Sequence, residues 1–202
     1  TTTLLLTIAG TVLFLVTENQ AAFAGMSPLE KFLGALFSSV TPRTAGFNSV
    51  DTAALSNSGK IITMVMMFVG GSPGSTAGGV KTTSVVVLLF YAVAMVRNRE
   101  DINLFGRRLS DEVVKKANAV VIINATLTII ATIFIMTLQP LLNFEDVLFE
   151  VLSAIGTVGM TVGITRDLNI ISRVIIIVLM YCGRLGSLSF ALIFAQKKTS
   201  AS

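Results

Sequence analysis

LEKFLGALFSSVTPRTAGF, residues 29–47, is an apolar run too short to cross a bilayer, ended by Thr41-Pro42 and followed by the small-residue string Arg43-Thr44-Ala45-Gly46-Phe47. A hydrocarbon core about 30 Å thick takes about 20 helical residues, and re-entrant segments are shorter. Pro28 to Val40 is therefore expected to enter and return as a pore loop. Non-helical backbone at that depth survives only where it is buried in protein or lines a cavity. Gly46 opens dihedrals closed to other residues, so the carbonyls of Thr44, Ala45 and Gly46 are candidates to replace water around a cation.

The same device returns at residues 144–163, where FEDVLFEVLSAI leads into GTVGMTVG. Matching Thr44-Ala45-Gly46-Phe47 to Thr157-Val158-Gly159-Met160 gives helix, half-helix, filter, helix twice, with Thr41-Pro42 extra in the first copy. Both copies enter from one side, which makes them parallel repeats about an axis along the membrane normal. The negative ends of the half-helix dipoles then face the ion.

Between the copies lies GGSPGSTAGGVKTT. From Ile61 to Val96 the chain runs about 36 residues, roughly 54 Å as one helix, too long for a single crossing. The excess sits in Gly70-Gly71-Ser72-Pro73-Gly74-Ser75-Thr76-Ala77-Gly78-Gly79, whose glycines and proline oppose helix continuation. A broken helix is expected, completed by Val80 to Val96. The segment is not a Walker A loop: Val80 separates Gly79 from Lys81-Thr82, and the preceding segment is a membrane helix rather than a strand.

TPRTAGF, SAIGTVGM and GGSPGSTAGGVKTT together resemble the third and fourth pore repeats of the Trk/Ktr/HKT superfamily of potassium transporters, nearest the Ktr-type membrane subunit. The resemblance covers essentially the whole chain. It implies a pore of four repeats, of which this chain holds two and resembles the C-terminal half. It also implies that residues 70–79 form an intramembrane gating loop, that Arg184 in the last helix lies near it, and that the partners are a second subunit in a homodimer and a cytosolic nucleotide-binding ring. It implies potassium as the ion, with sodium as a coupling or activating candidate.

Composition agrees with a membrane: 53% hydrophobic, 13% charged, mean hydropathy +0.82, too apolar for an ordinary soluble domain. The net charge of +4 does not point to nucleic acid, because the basic residues concentrate in one connection rather than on an aromatic-interleaved face. Arg97, Arg99, Arg107, Arg108, Lys115 and Lys116 there indicate a cytoplasmic loop over 97–116. Cys182 alone excludes an intrachain disulfide, and the absence of histidine removes the commonest zinc ligand and general base. The start Thr1-Thr2-Thr3 has no basic n-region and reads as a cut edge rather than a signal peptide.

Taken in order, Leu4 to Val16 is part of an outer helix, Glu18-Asn19-Gln20 marks an aqueous face, Val120 to Leu138 is a spanning helix, and Ile170 to Ala195 is the last crossing. The organisation is an all-α membrane protein with one repeat over 1–98, a cytoplasmic connection over 99–116 and a second repeat over 117–202, the C-terminus cytoplasmic and the location the plasma membrane. A cation at a helix centre costs about 2.5–3.5 kcal/mol on insertion scales, so Arg184 needs a partner. The carbonyls of residues 70–79 are the acceptors at similar depth, and Lys81, nearer the cytoplasm, reads first as a snorkelling side chain or a barrier to cations and only second as a further latch on that loop. Arg43 is expected to bond the last carbonyls of the first half-helix. Glu150 either pairs with a buried arginine or adds negative potential at the mouth, and Met64, Met66 and Met67 read as packing residues. The function expected is the ion-conducting subunit of a potassium uptake system. A secondary transporter with discontinuous helices is the alternative, and a membrane-embedded enzyme a third, which lacks histidine or paired acids.

Overall fold

The computed structural model describes residues 2–72, 75, 77–97, 103–104, 107–108 and 111–186. Among the described residues there are seven α-helices: α1 (Thr2–Thr17), α2 (Pro28–Val40), α3 (Asn57–Phe68), α4 (Thr82–Val96), α5 (Asp111–Leu138), α6 (Phe144–Ile155) and α7 (Ile170–Leu185). The architecture of the described residues is helical, with a short strand pair in the connection. Asn103–Leu104 (β1) and Arg107–Arg108 (β2) pair antiparallel in the connection, so that segment is not simply loop. The helix after it begins at Asp111, within the connection assigned to 99–116, because Asp111 and Glu112 favour a helix N-terminus and Lys116 Nζ reaches Glu112 Oε1 at 2.6 Å one turn on. Residues 187–202, and with them the end of the last crossing, lie outside the described residues.

Local chemistry sets these boundaries. At α2, Pro28 occupies the first turn, the Ser27 side chain accepts from the Glu30 amide, and Glu30 Oε2 accepts from the Ser27 amide at 2.8 Å, a capping box. Those bonds hold the exposed Glu30 carboxyl below its usual range. Asn143 precedes α6, whose first turn carries Glu145 and Asp146. The hydroxyls of Thr7 and Thr11 in α1 and of Thr128, Thr132 and Thr137 in α5 return to carbonyls four residues back, which satisfies them without water.

By length and composition, Glu112–Leu138 is the one described helix able to cross a membrane; α1 and α4 are apolar but shorter. Two packed groups meet at the centre. In the first, α1 packs on α2 and α3, with Phe14, Phe23, Ala35 and Leu55 buried. In the second, Ala131 and Ile135 of α5, Val147, Val151 and Ile155 of α6, and Ile176 and Leu179 of α7 form a core. Met64 and Met67 of α3 join the two by packing on Phe149, Leu152, Val158 and Met160. The half-helices differ in environment. α6 is buried at Val147 and from Phe149 to Ile155, whereas Leu29, Phe32, Leu33, Leu36, Phe37 and Val40 of α2 are exposed.

Candidate functional site

The strings after α2 and α6 share one backbone pattern. Thr44 (φ 72°) and Thr157 (φ 53°) are the only described non-glycine residues with positive φ, and Gly46 (φ 72°) and Gly159 (φ 87°) repeat the left-handed turn two residues later. A β-branched residue at positive φ is strained, and here the strain falls at matched positions of two segments far apart in sequence. The strings also meet: a Cβ added at Gly46 would lie 2.2 Å from the Val158 carbonyl oxygen.

Their amides turn back to the half-helix ends. Ala45 N and Gly46 N donate to Thr41 O at 3.1 and 3.3 Å, Thr157 N to Ala154 O at 3.1 Å, and Val158 N to Ser153 O at 2.9 Å. The Thr41 hydroxyl donates to Phe47 O. Among the described hydrogen bonds, none ends on the carbonyls of Thr44, Ala45, Gly46, Thr157, Val158 or Gly159. Phe47 is exposed and Met160 is buried beside Val158.

Residues 70–79 leave and re-enter the fold at one place. Val69 and Val80 form a parallel bridge, Val80 N donates to Phe68 O and Thr82 N to Gly71 O, both at 3.2 Å. The described residues of the excursion, 70–72, 75 and 77–79, are not helical, and they touch the second string: Gly78 N donates to the Thr157 hydroxyl at 3.0 Å. Lys81 Nζ donates to Ser75 O at 3.1 Å and to Ala77 O, and Ser72 Oγ meets Thr3 Oγ1 at 3.0 Å. Lys81 thus reaches back over the loop rather than along its own helix. Pro73, Gly74 and Thr76 lie outside the described residues. Arg184 stands exposed on α7, next to Gly183, where an added Cβ would lie 2.1 Å from Ile155 O at the end of α6.

Several charges take places that the sequence did not indicate. Arg43 Nη1 donates to Thr3 O and to the Thr7 hydroxyl, both at 3.3 Å, not to the end of α2. The reason is the antiparallel packing of α1 on α2: Ser39 Oγ donates to Thr7 O at 2.8 Å, which puts Arg43, one turn later, beside Thr3. Glu18 does not mark an aqueous face; it is fully buried and accepts from Ser56 N at 3.2 Å, the Ser56 hydroxyl and Ala22 N. Lys60 of α3 pairs with Asp146 of α6 at 2.9 Å, their side chains 14% and 16% exposed, tying α3 to α6. Glu150 accepts from the Thr165 hydroxyl, its other oxygen is buried, and it lines a cavity of about 330 Å³ with Arg173, Gly159 and Met160. A lone charge beside an apolar run carried no signal for these pairings.

All 202 residues match the family model of TrkH, described as a cation transport protein. The chain belongs to the TrkH family. Among its relatives, the potassium/sodium uptake protein NtpJ of Enterococcus hirae is 38% identical over 98% of this chain and 46% of that protein. The Ktr system potassium uptake protein B of Bacillus subtilis is 35% identical over 94% and 42%. The crystal structure of the potassium transporter TrkH from Vibrio parahaemolyticus matches the fold with a TM-score of 0.73 at 22% identity, over 95% of this chain and 42% of that one. This TrkH-family chain spans less than half the length of the relatives it matches. The family agrees with the resemblance carried by TPRTAGF, SAIGTVGM and the glycine-rich loop.

Proposed function

We propose that this chain supplies two pore repeats of the ion-conducting membrane subunit of a potassium uptake system. Carbonyls of Thr44, Ala45 and Gly46 and of Thr157, Val158 and Gly159 take the place of water around K⁺, and residues 70–79 are the gate. The observation that carries this reading is the left-handed pair at matched positions, Thr44 with Gly46 and Thr157 with Gly159. Alternating backbone handedness with amides tied to the helix ends turns successive carbonyls away from the scaffold, which is what a desolvated cation requires. The half-helices α2 and α6 end at these strings and direct their negative dipole ends there.

Two further repeats complete the ring. The exposed apolar face of α2, in contrast to the buried α6, supports this, because an apolar patch of that kind is a packing surface. The names of the relatives, a potassium/sodium uptake protein and a Ktr system component, support potassium as the ion and sodium as a second one. A homodimer resting on a cytosolic nucleotide-binding ring, with loop 97–116 and the C-terminus on the cytoplasmic side, completes the proposal. Lys81, just before α4, latches the gate loop, and Arg184 from α7 is the second latch.

The experiment is complementation. The complete transporter containing this chain is expressed in bacteria lacking potassium uptake, and growth and K⁺ uptake are measured at limiting K⁺. Membrane insertion without K⁺ uptake, at any sodium concentration, would refute the reading.

A further inference from the structure

The side chain of Thr157 is held from two directions. A Cβ added at Gly183 would lie 3.1 Å from Thr157 Cγ2, and one added at Gly78 would lie 2.7 Å from both Cγ2 and Oγ1. α7 therefore confines the methyl group, while the loop backbone comes against the hydroxyl only because residue 78 has no side chain. At that contact the Gly78 amide donates to Oγ1 at 3.0 Å. A buried amide left without an acceptor is costly, so the bond favours the loop conformation that makes it.

The matching threonine of the first string behaves otherwise. Thr44 has the same left-handed backbone, yet its hydroxyl donates to Arg43 O within its own turn. Among the described hydrogen bonds, the tie between a string and the loop exists in the second copy alone. The asymmetry has a geometric source: Thr157 follows α6, which packs on α3 and α7, and α3 runs directly into the loop.

We propose that the Thr157 hydroxyl is the pin that holds the loop of residues 70–79 against the conduction path, so that one atom of the filter string reports and stabilises the closed gate. This rests on the reading of residues 70–79 as the gate. Thr157 is here a positioning residue, acting through the Gly78 amide. When the loop withdraws, Oγ1 loses its donor and is free to accept from water, which couples gate opening to hydration of the string at that point.

The test uses the complete transporter in proteoliposomes and reads K⁺ flux for the wild type, Thr157→Val, Thr157→Ser, a variant lacking Ser72 to Gly78, and the combination of that deletion with Thr157→Val. Valine keeps the branched shape against Gly183 and removes the acceptor. One lost hydrogen bond of ordinary strength shifts the gate equilibrium about three- to tenfold, so Thr157→Val is expected to raise flux by that factor. Thr157→Ser, which keeps the acceptor, is expected to stay well below it. In the loop-shortened background valine is expected to add nothing, because the donor is gone.

If loop shortening raises flux and Thr157→Val does not, the pin is overturned and the gate stands. If the assembled loop-shortened protein conducts like the wild type, the gate reading itself fails. If valine changes flux equally with and without the loop, the hydroxyl acts on the filter and the pin is overturned. Should Thr157→Val fail to assemble, Gly78→Ala reads the same contact from the loop side, since its Cβ must displace the loop from Thr157. Raised flux then supports the pin, and unchanged flux removes it.

Discussion

Replacing Gly46 by serine places a Cβ 2.2 Å from the Val158 carbonyl oxygen, at a residue whose φ is 72°. Two costs follow. Holding a side chain at that backbone conformation costs about 1–3 kcal/mol. Relieving the overlap costs a further 1–3 kcal/mol or so, the usual range for overpacking. The second cost matters more for function because the atom that must move is backbone, and it is a proposed potassium ligand. A difference of about 1.4 kcal/mol between two ions changes their ratio tenfold, so a fraction of the strain delivered to Val158 O is enough to erode selectivity. Gly159→Ser is the internal control: its φ is 87° and an added Cβ meets nothing within 4 Å, so it carries the dihedral cost alone. Uptake of K⁺ and Na⁺ by the complete transporter is expected to lose discrimination in both variants, and more in Gly46→Ser. An assembled Gly46→Ser protein with wild-type selectivity and rate would refute the placement of Gly46 in the filter. A larger effect at Gly159 would show that the Gly46 to Val158 contact is not what sets the carbonyl.

Removing Ser72 to Ala77 is expected to raise flux and weaken control by the cytosolic partner, and Lys81→Ala to do so by a smaller factor, because it frees the carbonyls of Ser75 and Ala77; flux assays on both, with unchanged flux in each counting against the latch, decide it. Breaking the pair between Lys60 and Asp146 by Lys60→Met or Asp146→Asn is expected to cost about 1–3 kcal/mol, between the values for exposed and buried pairs. A double-mutant cycle on unfolding in detergent measures it, and additive costs would mean that the contact is not an interaction. In a Cys182→Ala background, cysteine at Asn103 is expected to react with an impermeant thiol reagent only from the cytoplasmic side and cysteine at Asn19 only from outside; the reverse pattern would invert the topology.

The elements were legible because their signals are local. The span of α2, Pro28–Val40, is set by a proline at one end and Thr41-Pro42 at the other; the break between α3 and α4 is set by glycines that no helix tolerates in such number. The matched left-handed positions, Thr44 with Gly46 and Thr157 with Gly159, were legible because a glycine two residues after a threonine recurs after α2 and α6. None of this says which groups touch. That Gly46 abuts Val158, that Gly78 reaches Thr157 and that Lys60 meets Asp146 depends on how α3, α6 and α7 pack, and each pairing joins residues at least 79 apart. Arg43 shows the limit most plainly. Its sequence position at the end of α2 suggests the nearest carbonyls, and the packing of α1 supplies other acceptors at the same height. Glu18 shows it again, a charge beside Asn19 and Gln20 that reads as solvated until the start of α3 closes over it. Sequence alone determined the two short helices α2 and α6, the break after α3 and the backbone positions requiring glycine, because these follow from each residue's own conformational preferences. Only the tertiary structure decided the partners of the buried polar groups, because a carboxylate or an amide accepts any complementary group brought within about 3 Å, and what is brought there is fixed by packing.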